Sequence, residues 1–295
     1  MFTKSTLLHL RIPFSFLLMP VYVFALGLSL NLNESRLFWS FIIIHIFLYP
    51  ASNAYNSYFD KDEGSIGLLK NPPPVKKELY WVALLFDLTA IVLGLIKVNL
   101  LFAVLLFVYG LASKAYSHPS IRLKKYPITG WMVAGFFQGF FTFMMCYIGI
   151  NQFGFENLWR ESIWTAALLT SLMLWASYPM TQIYQHEEDK KHGDKTMSRI
   201  LGIRGTFFFA MIFFLISAIA FMIYFSVYTK MRYAYGFILC LTPVILFFFY
   251  WFSCIWKDAT QANYSNTMRL NFISALCLNG FFIWFFLETS HVMQR

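Results

Sequence analysis

Residues 37–64 read LFWSFIIIHIFLYPASNAYNSYFDKDEG, and the change of character along this stretch decides the fold. Its first half is a continuous apolar run without alternation, and crossing a bilayer takes about 20 such residues. Its second half keeps helical spacing but turns polar. Asn53, Asn56 and Asp60 lie three and four residues apart and share one helix face. Asp62 and Glu63 follow at the charged end. A polar stripe descending from a charged mouth into an apolar helix reads as a membrane span that carries chemistry at one end.

Comparable apolar runs recur along the whole chain, at 13–31, 37–58, 79–96, 99–116, 128–150, 163–184, 206–228, 234–256 and 268–288. Of 295 residues 59% are hydrophobic and 13% charged, against about 25% charged in a soluble domain. A soluble enzyme with one greasy helix is therefore excluded, and the lack of alternation excludes a membrane β-barrel. The expected fold is all-α and polytopic, nine transmembrane helices in a single domain over residues 1–295. The first run, after Lys4 and Arg11, is long enough to remain as a span and does not read as a cleaved leader. The longest loops, 59–78 and 185–205, are both rich in charge of both signs.

The net charge of +9 reads as topology and not as nucleic-acid binding, since Lys and Arg collect in cytoplasmic loops. With the N-terminus in the cytoplasm, most of the 23 basic residues fall on the inner side. Arg36, Lys97, Arg160, Lys230, Arg232 and Arg295 fall on the outer side. Most acids share the inner face. Asp87 is the one expected inside a span, where it could serve a site or reach a neighbouring helix. Cys146, Cys240, Cys254 and Cys277 have no CxxC spacing and read as packing residues.

A second acidic cluster ends the sixth span, in YPMTQIYQHEEDKKHGDKT at 178–196. On a continuous helix Tyr178, Gln182, Gln185 and Asp189 would share one face, with Glu188 beside them. Mg²⁺ takes carboxylate and amide oxygens, usually one or two per ion, and completes its shell with water and phosphate. Two oxygen-rich helix ends facing each other would supply that, and neighbouring Lys and Arg would hold phosphate oxygens. The alternative is a pair of solvated helix ends with paired surface charges. The continuation of both clusters as amides into apolar spans favours the site. A third polar loop on the same face, YSHPSIRLKKYP at 116–127, concentrates Arg122, Lys124 and Lys125 between prolines. Arg11, His45, Asn53 and Gln138 are further polar residues in or near spans that could line a pocket or bond between helices. The two acidic loops resemble each other enough to suggest a weak internal repeat.

In order and spacing these features resemble the UbiA superfamily of intramembrane prenyltransferases, over essentially the whole chain. Asn56 and Asp60 match the first two positions of its NxxxDxxxD motif, Gln185 and Asp189 the ends of its second, DxxxD motif. LRIP at 10–13, KNPPP at 70–74, the loop at 116–127 and Lys191, Gly193, Lys195 and Thr196 are similar to the family's runs at those points. Two expected carboxylates are replaced, by Gly64 and Gln185, with Asp62 or Glu63 near enough to substitute for the first. The resemblance implies a UbiA-like bundle that transfers an isoprenyl chain from a prenyl diphosphate to a hydrophobic acceptor such as a quinone precursor, an aromatic acid or a lipid-like alcohol. It implies Mg²⁺ held by Asn56, Asp60 and Asp189, assisted by Glu188, Gln185 or Asp62. It implies diphosphate contacts from Lys70, Arg122, Lys124 and Lys195, with Asn53 and Gln182 in the pocket. The expected location is a bacterial inner membrane, with the acidic motifs on the cytoplasmic face. The competing expectation is a binding or transport protein of the same fold that has lost turnover, which the missing carboxylates favour. A solute transporter fits less well, because transporters carry their polar site at the bilayer midplane.

Overall fold

The computed structural model describes residues 3–151 and 158–290; Arg295, counted above on the outer side, lies outside them. Each of the nine apolar runs is helical over most of its length, the first ending at Gly27 and not at residue 31. In chain order the helices are α1 (Lys4–Gly27), α2 (Glu34–Asp60), α3 (Glu78–Lys97), α4 (Leu100–Ser117), α5 (Pro127–Ile150) and α6 (Glu161–Thr181). There follow the short α7 (His186–Lys191), then α8 (Met197–Tyr228), α9 (Met231–Lys257) and α10 (Tyr264–Thr289). Among the described residues eight of these are long and apolar enough to cross a membrane. α6 is not one of the eight. Its 21 residues are long enough, at about 1.5 Å each, but Ser162, Thr165, Thr170, Ser171 and Ser177 dilute its apolar character.

Helices adjacent in sequence pack side by side, and α10 closes the ring against α1, so the bundle encloses a common interior. Leu239, Ile96 and Leu246 point outward and are more than 60% exposed, as expected of an apolar girdle with lipid for solvent. At the end of the bundle away from the acidic motifs the interior is plugged by aromatic rings. Phe24 stacks on Phe282 and Phe221 on Phe237, each at 4.6 Å between centroids. Phe225 and Phe281 pack edge-on at 5.3 Å, and such offset and edge-to-face pairs suit the ring quadrupole.

Two helix pairs show how the chain satisfies its backbone without water. Gly135 and Gly139 on α5 stand four apart and admit α6 closely: a Cβ on Gly139 would lie 2.5 Å from the Ser171 backbone. Small residues at that spacing let membrane helices approach. α5 carries a π turn there, Phe137–Phe141. Ser171 fills it, donating to the Gly135 carbonyl at 2.9 Å and accepting from the Phe140 N–H at 2.8 Å. On α3 and α4 the buried Asp87 pairs with Lys114, whose ammonium also sits 5.2 Å from the Tyr55 ring centre. That accounts for Asp87: it fastens two helices and takes no part in the site at the bundle mouth.

The expected sixth span to residue 184, with one face running from Tyr178 to Asp189, is corrected. α6 stops at Thr181, two residues after Pro179 has entered its last turn. Proline lacks the N–H that would bond four residues back. The carbonyl of Trp175 is instead capped by the Trp131 indole N–H at 2.8 Å. Gln182, Ile183, Tyr184 and Gln185 form tight turns, and α7 starts afresh at His186. The first motif differs: α2 runs unbroken from its own π turn, Ile43–Leu48, to Asp60, closed by Lys61 in the left-handed region. The two motif-bearing ends are therefore not equivalent in backbone, and the suggested repeat does not extend to it. The first helix starts earlier than expected, at Lys4, and breaks at Arg11. The seventh run starts earlier as well, at Met197, where Gly202 at φ +67° turns the chain before it enters the bundle. All four cysteines are free and Cys146 is buried in the core, consistent with packing.

Candidate active site

A cavity of about 670 Å³ opens among the helices at the end that carries the acidic motifs. Its mouth is lined by Asn56, Asp60, Asp62, Lys124, Gln182, Gln185, Asp189, His192 and Asp194, and its body by apolar side chains of α1, α8, α9 and α10. The three loops that the sequence singled out thus meet at one place.

From the first motif, the Asn56 amide N–H donates to Ser117 Oγ at 2.9 Å, which leaves the amide oxygen available. Asp60 is 5% exposed. One of its oxygens pairs with Lys124, and the other lies 3.3 Å from Arg122 without a well-formed hydrogen bond. From the second motif, Asp189 accepts from the Thr196 hydroxyl at 2.8 Å. Burial pushes the Asp189 carboxyl up to about 6, against the pull of the Thr196 hydroxyl and Lys124. The Asp62 carboxyl is also pushed up to about 6, by burial first and then by the charge of Asp60. Burial raises such carboxyls because it disfavours their charged form. Gln182 accepts from the Ser198 N–H, and Gln185 donates to the Ser65 carbonyl, both at 3.4 Å. Asn53 lines the same cavity, as do Arg11 and Gln138, whereas His45 is stacked on Phe41 at 4.2 Å, away from it.

Glu188 stands off the cavity lining, beside Asp62 and His192, and the ligand atoms of these three lie within 4.8 Å of one another. It also fills the space left by the glycine of the first motif. A Cβ on Gly64 would meet Glu188 Cγ at 3.1 Å and Oε1 at 3.3 Å. Arg122 holds Asp194 through two hydrogen bonds of 2.8 Å and bridges to Asp60. Lys70 and Lys195 are not brought to the site: both are exposed and outside the cavity lining. Lys70 contributes only its carbonyl, to Ser65, and Lys195 its N–H, to Lys125.

Sequence reasoning missed Asp194, His192 and Tyr116, whose hydroxyl is hydrogen-bonded to that of Tyr178, a residue the sequence had already placed on the face of the second cluster. Asp194 and His192 flank Gly193, at φ +70°, and that turn was the available signal that the chain doubles back there. Tyr116 carried none, being one of 17 tyrosines. The donor set fits a hard divalent cation: amide and carboxylate oxygens line one mouth, one oxygen of the buried Asp60 lacks a hydrogen bond, and the carboxyls of Asp62 and Asp189 are raised chiefly by burial.

The sequence model of the UbiA prenyltransferase family matches residues 17–285. No curated protein sequence matches the chain. Among solved structures, a UbiA homologue from Archaeoglobus fulgidus bound to DMAPP and Mg²⁺ superposes with a TM-score of 0.68 at 17% identity, covering 98% of this chain and 100% of that one. The same homologue bound to GPP and Mg²⁺ gives 0.66 at 17% identity, covering 96% and 99%. A structure reported for digeranylgeranylglyceryl phosphate synthase in membranes gives 0.59 at 16% identity, covering 97% and 98%. At these identities the likeness shows the fold.

Proposed function

The chain is an integral membrane protein of the UbiA prenyltransferase family, and from that premise we propose that it transfers an isoprenyl group from a prenyl diphosphate to a hydrophobic acceptor inside its own cavity. One observation carries the reading: a single cavity joins a mouth lined by both acidic motifs and Lys124 to an apolar body between α1, α8, α9 and α10. A molecule with a diphosphate head and a hydrocarbon tail matches that division. The likeness to homologues solved with DMAPP, GPP and Mg²⁺ supports it.

Asn56, Asp60 and Asp189 would hold Mg²⁺, with Asp62 and Glu188 adjoining, and the bound ion would neutralise charge on the leaving diphosphate. Lys124 in the mouth lining, with Arg122 just behind the lining against Asp60 and Asp194, would supply positive charge where that head would lie. The C1–O bond of the donor breaks, its electron pair leaving on the diphosphate. C1 bonds to the acceptor nucleophile, and the acceptor's displaced proton passes to pyrophosphate or water. The apolar body keeps water from the allylic carbon. On the α1 and α2 side of the mouth, Arg11 Nε, Ser52 Oγ and Asn53 Nδ2 are buried without hydrogen-bond partners and line the cavity. Three unmet donors in one wall suit an acceptor that presents an anionic or carbonyl oxygen, since an unmet buried donor costs about 1–3 kcal/mol. The charge bias of the loops supports a mouth that opens on the cytoplasmic side.

The test is reconstituted protein with labelled geranyl, farnesyl or geranylgeranyl diphosphate and a membrane lipid extract, with and without Mg²⁺. Prenylated product and pyrophosphate should form only with Mg²⁺, and Asp60→Ala should lower the rate by at least about 10²-fold. A binding protein without turnover is the second reading, favoured by Gly64 and Gln185 in carboxylate positions. It would bind the donor, release no pyrophosphate and be indifferent to Asp60→Ala in product assays.

A further inference from the structure

Asp194 lies outside both acidic motifs, yet its side chain is only 3% exposed. Buried carboxylates need partners, and its partners are specific. Oδ1 accepts from Arg122 Nε and Oδ2 from Arg122 Nη2, both at 2.8 Å. Lys124 Nζ lies 4.0 Å from Oδ2. This is the two-pronged fork that arginine forms with carboxylates, which fixes orientation as well as charge.

The backbone around Asp194 is fixed too. Its N–H donates to the Asp189 carbonyl at 2.8 Å, and the N–H of Lys195 donates to Lys125 at 3.1 Å. Arg199 donates to the Asp194 carbonyl. The residue is thus tied on one side to the second acidic motif and on the other to the basic loop. Arg122 itself sits in the left-handed region, φ 44°, a conformation disfavoured for a long side chain. Its remaining amino group, Nη1, has no ion pair or hydrogen bond among the described residues. Asp60 meets the same two cations from the other side of the mouth, 3.3 Å from Arg122 and paired with Lys124.

Resting on the proposed prenyl transfer, we propose that Asp194 is a positioning residue for the diphosphate: it clamps Arg122, and Lys124 with it, over the cavity mouth so that both cations face an incoming phosphate. Asp60 is then free to leave those cations, because Asp194 still holds Arg122 in place. The charge of Asp194 is committed to the basic loop, which separates its role from that of Asp60 and Asp189.

The sign of one measurement tests this. Removing a carboxylate beside a phosphate site relieves repulsion, so electrostatics alone predicts that Asp194→Asn tightens anion binding. The clamp predicts the reverse: calorimetry of the full chain with inorganic pyrophosphate and Mg²⁺ should give a dissociation constant about tenfold weaker, at unchanged stoichiometry. A purely structural role would lower the stoichiometry and leave the constant alone. With a prenyl diphosphate donor, KM should rise by a similar factor while kcat is held. Asp194→Glu keeps the charge but displaces the guanidinium, and should fall between wild type and Asp194→Asn. It also carries the test if Asp194→Asn does not fold. Either variant binding pyrophosphate as tightly as wild type, or more tightly, overturns the clamp and leaves prenyl transfer standing. Wild type without measurable pyrophosphate binding removes both.

Discussion

Gly64 is the residue at which this chain departs most from the pattern it resembles, and its surroundings explain how the departure is tolerated. Glu188, from the second motif, fills the space that a side chain at 64 would take. One carboxylate thus stands near where two would crowd, with Asp62 and His192 next to it. Restoring Asp at 64 should therefore not help by itself: the new group would meet Glu188 Cγ within about 3 Å and add a like charge. Gln185 is different, because its amide only reaches the Ser65 carbonyl at 3.4 Å. Gln185→Asp should lower the Mg²⁺ concentration for half-maximal prenyl transfer about tenfold, which is about 1.4 kcal/mol. Gly64→Asp should raise it, and Gly64→Asp with Glu188→Ala should bring it back. A Mg²⁺ titration in which Gln185→Asp matches wild type would take Gln185 out of the metal set.

Among the elements, α5 and α6 hold the wall behind the second motif, and their contact has almost no slack. Gly139→Leu must push α6 away from the Ser171 backbone and break the bonds through which Ser171 fills the π turn. Overpacking of this kind costs about 1–3 kcal/mol. Thermal unfolding in detergent should show a clear fall in midpoint, and an unchanged midpoint would mean that the two helices can separate freely. Helix existence was legible here because apolar length is written in composition, as the observed α3 and α5 show within a residue of expectation. The end of α6 was not, although Pro179 stood in plain view. A proline in a membrane helix is tolerated when something caps the freed carbonyl, and that cap, Trp131, lies 44 positions away. Asp87 was likewise visible as an intramembrane carboxylate, but its role needed Lys114 to be placed opposite it on α4.

At the scale of the whole molecule, the convergence of three polar loops at one end was legible, since each stands at the same end of an alternating series of spans. The cavity was not. With 35 Phe and 17 Tyr in the chain, no pattern distinguishes a ring that faces lipid from one that closes a tunnel. The helices make that distinction jointly. Along α9 the cavity lining runs from Phe249 to Phe237, a rise of about 18 Å at 1.5 Å per residue. Val21 on α1, Ala218 on α8 and Leu278 on α10 are the lining residues furthest from the mouth on their own helices. Beyond them stands the aromatic plug, with Phe237 at its near surface, 2% exposed and stacked on Phe221. A donor whose head is held at the mouth must end its tail there, so Phe237 should set the longest chain accepted. Phe237→Ala should extend the accepted series, read from products formed with geranyl, farnesyl, geranylgeranyl and longer diphosphates, by at least one isoprene unit. The substitution also removes core packing worth about 3–5 kcal/mol, so Phe237→Leu serves as a milder variant and should give a smaller extension in the same direction. If both variants fold and keep the wild-type length profile, the tail does not run toward the plug but leaves the cavity sideways between helices.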